Sequence, residues 1–119
     1  MPVGAATEEL ELIKSYVLLP MILSVFERDS NVIKESVKTP GPYTEMITRA
    51  MDCTTKVLSE VRREFRKRGI KVYEVTRDDT GVRAEFVCRG YTGNFRMLWA
   101  LITAEVGVRM RAYMGLSMS

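Results

Sequence analysis

The sequence predicts an α+β fold, in the order α-α-α-β-β-α, with a two-stranded antiparallel hairpin packed on a small helical bundle. Three observations lead there. Apolar residues recur at three- and four-residue steps up to Arg68, the period changes to two after Gly69, and a helical period returns from about Phe95. The 119 residues make one domain, 1–119, with fraying expected at about 1–6 and 115–119. A hydrophobic fraction of 46% with 28% charged residues excludes wholesale disorder.

The first helix is predicted to start at Thr7, an N-cap followed by Glu8 and Glu9 where the helix dipole favours acids. Its apolar positions, from Leu10 to Phe26, nearly encircle the axis, which places it centrally in the fold. Pro20 removes one amide donor and should kink it. Asp29, Ser30 and Asn31 are candidate caps for a second, shorter helix through about Lys38, although residues 8–38 also fit one kinked helix. Thr39-Pro40-Gly41-Pro42 then breaks the helical pattern. The next stripe, from Tyr43 through Val61 and Phe65, predicts a third helix that stops at Gly69, a left-handed C-terminal residue. At about 1.5 Å per residue that helix is roughly 39 Å long, more than the roughly 35 Å breadth of a compact domain this size.

Strand character follows. Val82, Ala84, Phe86 and Cys88 alternate with Arg83, Glu85 and Arg89, and Ile70 to Arg77 is rich in β-formers. A four-residue loop, Asp78 to Gly81, sets Val75 opposite Ala84, Tyr73 opposite Phe86 and Glu74 opposite Glu85. Tyr91-Thr92-Gly93-Asn94 reads as the turn into a last helix from about Phe95 to Tyr113. On that helix Phe95, Trp99, Ile102, Val106, Met110 and Tyr113 form one apolar stripe, and Met97, Leu101, Ala104 and Val108 a second on nearly the opposite side.

Charge is concentrated. Arg62, Arg63, Arg66, Lys67, Arg68 and Lys71 face one acid, Glu64, within eleven residues, so this stretch exceeds the +3 of the whole chain. A solvated helix end that complements the dipole explains it; an acidic protein or nucleic acid is the functional alternative. No zinc-finger, helix-turn-helix or aromatic RNA-binding pattern accompanies it.

An enzyme is the third reading. The chain has no histidine, so acid–base chemistry falls to carboxylates such as Glu74 and Glu85, predicted on a wet face. Cys53 and Cys88 read as reduced, buried small hydrophobes. Gly90 to Asn94 lacks both phosphate-loop fingerprints, and the Met110, Met114, Met118 step reads as packing. No cofactor or metal is expected.

The apolar run Tyr16 to Phe26 is about half of the roughly 20 residues a bilayer span needs, so no membrane association is expected. An acidic rather than basic amino terminus argues against a secretory signal, and the location expected is cytoplasmic. The function expected is that of a small non-enzymatic protein acting through protein contacts, as regulator, adaptor or assembly factor. The partner expected is a second copy, in a homodimer joined through Met97, Leu101, Ala104 and Val108. A nucleic-acid-binding module using the cluster at 62–71 is the alternative.

Overall fold

The computed structural model describes residues 5–116, which form α1 (Thr7–Ser36), α2 (Gly41–Arg68), β1 (Ile70–Arg77), β2 (Gly81–Cys88), β3 (Tyr91–Leu98) and α3 (Trp99–Tyr113). The order is therefore α-α-β-β-β-α, which overturns the expected three helices followed by a two-stranded hairpin.

The first correction lies at Asp29-Ser30-Asn31, which cap nothing. Helix α1 runs through them to Ser36 because Ile33, seven residues beyond Phe26, keeps the apolar stripe on the core. Cap-forming residues permit a helix start but do not break a helix already running. Pro20 lies inside the same continuous helix.

The second correction lies at Tyr91–Leu98, a third strand rather than a turn and a first helical turn. Gly93 does not turn the chain. It sits opposite Phe86, and a Cβ built there would stand 2.8 Å from the Phe86 ring, so the glycine makes room for a core aromatic. Arg89 and Gly90, with φ of 49° and 85°, form the two-residue turn that pairs Cys88 with Tyr91. Positive φ at both positions matches the twist of a tight hairpin.

The sheet is an antiparallel meander, β1-β2-β3. Val75 pairs with Ala84 and Glu74 with Glu85 as the four-residue loop requires, but Phe86 lies opposite Val72, and the register slips between Val72 and Glu74. Tyr73 is the extra residue of that bulge and is half exposed. The loop is held by Asp78, whose carboxylate accepts from the amides of Thr80 and Gly81 at 2.8 and 3.0 Å.

One core joins these elements. Ile13, Leu18, Leu19, Ile22 and Phe26 of α1 are at most 1% exposed, as a helix covered on several sides requires, and Ile47, Leu58, Val61 and Phe65 of α2 pack with them. Tyr16 and Phe65 meet ring to ring at 4.9 Å across the two helices. Val82, Ala84, Phe86, Cys88 and Met97 supply the inner face of the sheet. The molecule measures 57 × 31 × 29 Å with a radius of gyration of 16.2 Å, against about 13.5 Å for a compact chain of this length. The excess reflects the long α1–α2 hairpin.

Residues 1–4 and 117–119, with most of the expected fraying and with Met118, lie outside the described residues. Ala5 packs against the core, and Ala6 rather than Thr7 is the N-cap of α1. Gly115 (φ 77°) and Leu116 form a helix stop, their amides donating to Ala112 and Arg111 at 3.1 and 2.8 Å.

Candidate functional site

The basic cluster divides in two. At about 100° per residue, Arg62, Arg63, Arg66 and Lys67 fall within one arc of α2, and all four are exposed. Lys67 lies 3.8 Å from Glu64; Arg62, Arg63, Arg66 and Lys71 have no ion-pair partner among the described residues. Arg68 faces the other way and is consumed in structure. It pairs with Glu64 at 3.1 Å and with Glu8 of α1 at 2.6 Å, and these carboxylates, Glu8 first, raise its pKa. Lys71 is exposed on the edge strand β1.

Beside Arg68 lies an ionic knot around one buried carboxylate, which the sequence did not reveal. Glu9 is 4% exposed. It accepts from Arg89 Nη1 at 2.5 Å and Nη2 at 3.0 Å, and from the Ala6 amide at 3.0 Å. Those bonds, Arg89 first, pull its carboxyl from the ordinary 4.5 to about 2, against the opposing effect of burial. The Arg89 amide also donates to the Gly69 carbonyl at 2.9 Å, so the start of α1, the end of α2 and the β2–β3 turn are tied together. Cys88 sits 3.6 Å from Glu9, and burial together with that negative charge pushes its thiol pKa up, the opposite of what a nucleophile needs. Cys53 is exposed rather than buried, and both cysteines are free.

Helix α3 shows both stripes read from its sequence. Trp99, Ile102, Val106, Met110 and Tyr113 turn toward the core, Ile102 buried and the others partly so. On the opposite side Leu101 is 52% and Val108 45% exposed, Ala104 is exposed between them, and Leu98 beside them is 58% exposed. Met97 does not share this face. It belongs to β3 and is 2% exposed in the core. Among the described residues nothing covers the outer stripe, so α1 and the sheet do not bury both sides of this helix.

Between α1, α3 and the end of β1 opens a groove of about 860 Å³, within the range of small-molecule sites. Its walls are largely apolar, and Arg28, Arg62 and Arg77 border it. Glu74 and Glu85 pair on the opposite, solvent face of the sheet, where Arg83 holds Glu85 at 2.7 Å. Among the described residues no cluster of three His, Cys, Asp or Glu side chains is placed to hold a metal ion. No described helix is long and apolar enough to cross a membrane.

These features define a helical hairpin closed at one end by an antiparallel meander, with an apolar helix face, a basic arc and a groove on its surface. A family model described as YhjD protein matches residues 5–118. The chain is 35% identical over 105 residues to "Uncharacterized protein YhjD" of Bacillus subtilis (strain 168), covering 87% of this chain and 88% of that protein. No solved structure matches. The chain belongs to the YhjD family.

Proposed function

We propose that this is a small, non-enzymatic cytoplasmic protein that works through protein contacts, as a regulator, adaptor or assembly factor, and that one partner is a second copy of itself. The observation that carries the reading is the outer face of α3, where Leu101, Ala104 and Val108 stand wet on a helix whose other side packs on the core. An apolar stripe of this kind costs free energy in water and is recovered by association. A two-fold dimer covers it with its own copy, Leu98 extending the patch where Met97 cannot. Sedimentation equilibrium at micromolar concentration is expected to give a dimer, and Leu101→Glu a folded monomer. A wild-type monomer, or a dimer unaffected by Leu101→Glu, removes the self-association reading.

A second reading rests on the basic arc, whose Arg62, Arg63 and Arg66 are exposed beside Lys71 with no ion-pair partner among the described residues. Nucleic acid held there is expected to show little sequence preference and a log–log salt slope near −0.9 per phosphate contact. Charge reversal at Arg63 and Arg66 should abolish it. An acidic protein partner would be equally sensitive to that reversal but would show no nucleic-acid shift at low salt.

A further inference from the structure

The groove is core surface that the chain leaves unfilled. Val75 points to the same side of the sheet as its buried partner Ala84, yet it is 45% exposed because no helix covers this end of β1. Trp99 of α3 also lines the groove, its indole nitrogen donating to the Asp78 carbonyl at 2.8 Å, so the ring is fixed there. Pro20 lies in the groove one turn after Tyr16, and because proline has no N–H, the Tyr16 carbonyl lacks its usual helical donor at the same site. The borders carry one sign of charge. Arg28, Arg62 and Arg77 line the groove, and no carboxylate does among the described residues. Arg28 is paired with Asp29 at 3.2 Å, whereas Arg62 and Arg77 have no ion-pair or hydrogen-bond partner among the described residues.

We propose that this groove is a ligand site for an anionic amphiphile of the fatty-carboxylate class, its apolar body lying between Val75 and Trp99 and its carboxylate taken by Arg62 and Arg77. Low-dielectric walls with cations at the border favour such a ligand over an uncharged one of the same shape, because the guanidinium contacts are charge-assisted and forked. A second copy of the chain fits less well. One exposed apolar segment, around Val32 and Val37, carries Lys34 and Lys38 against the single Glu35, a net positive charge that would meet the arginines with like sign. The site lies on the face of α3 opposite Leu101, Ala104 and Val108, so it stands or falls separately from self-association.

Trp99 is the one tryptophan of the chain and reports occupancy directly. Sodium decanoate, 1-decanol and decylammonium chloride are titrated below their aggregation range against the full chain, following Trp99 emission and binding heat. Decanoate is expected to saturate at one per chain and to bind about tenfold or more tightly than decanol, with decylammonium weakest. The exposed double substitution Arg62→Gln/Arg77→Gln should bring decanoate to the affinity of decanol, while Arg49→Gln, on a remote part of α2, leaves it unchanged. Circular dichroism of each variant shows that the fold is intact. Equal affinity for the three amphiphiles, no saturable response, or full decanoate binding by the double variant overturns the proposal. So does a Trp99 change that follows protein concentration rather than ligand, which would assign the groove to a second copy.

Discussion

The two ends of the α1–α2 hairpin are built from the same two helices and end up in opposite conditions. At the closed end Glu9, Arg89, Arg68 and Glu8 cross-link three elements, and Arg89 lies over the Gly69 turn. At the other end Val32, Val37, Tyr43 and Met46 are 41–57% exposed, and the ion pairs there are local, Arg28 with Asp29 and Arg49 with Glu45. The sheet and α3 cover only one part of a long hairpin, so burial and cross-linking accumulate where they sit. The difference teaches that stability and accessible contact surface are separated along one axis of this molecule.

The largest expected effect comes from the covered part. Phe86→Ala removes a core aromatic that is 4% exposed and should cost about 3–5 kcal/mol in denaturant titration. Glu85→Ala, on the wet face of the same strand, should cost well under about 1 kcal/mol. Similar losses at the two positions would mean that the sheet has its other face inward.

The ionic knot comes next. Glu9→Gln should lose about 2–3 kcal/mol, moderated because Arg89 is half exposed and can return to water. The same contact sets a pH dependence. A carboxyl lowered from 4.5 to about 2 on folding contributes stability that is fully present above about 4.5 and is lost as pH falls toward about 2. Urea midpoints between those values should therefore fall less steeply with acid in Glu9→Gln than in the wild type. Parallel acid profiles for the two proteins would remove Glu9 as the source.

A smaller loss, about 1–2 kcal/mol by thermal or denaturant unfolding, is expected for Gly93→Ala, whose Cβ would displace the Phe86 ring. Smallest are Val32→Ser and Tyr43→Ser at the open end, within about 0.5 kcal/mol. A loss as large as that of Gly93→Ala would show that the tip is packed against something.

What could be read from the sequence follows the same division between periodic and singular features. The α2 stripe, the alternation of β2 and the two faces of α3 are periodic, and the stop at Gly69 and the pairing of Val75 with Ala84 follow from local chain signals beside them; such features survive without knowing the partner. The remainder depends on contacts distant in sequence. Gly93 is indistinguishable from a turn glycine until Phe86 is seen across from it. Arg89-Gly90 is a tight turn without the asparagine or aspartate that usually marks one, and its arginine is held by Glu9 from the far end of the chain. Glu9 itself fitted the first turn of a helix so well that no further role was called for. The one available signal was its place on the same helical face as Ile13, an acid on the core side of α1. Arg68 shows the same limit within the basic cluster, since only the direction of α1 takes it out of the exposed arc.

Hydrogen–deuterium exchange resolved along the full chain tests the separation of the two ends most directly. Amides of α1 from Ile13 to Phe26 and of β2 should exchange only at the limit set by global unfolding, while those from Ser30 to Met46 exchange orders of magnitude faster through local opening. Uniform protection across α1 and the start of α2 would contradict the account, because it would mean that the exposed tip is covered in solution and that the contact surface lies there rather than on α3.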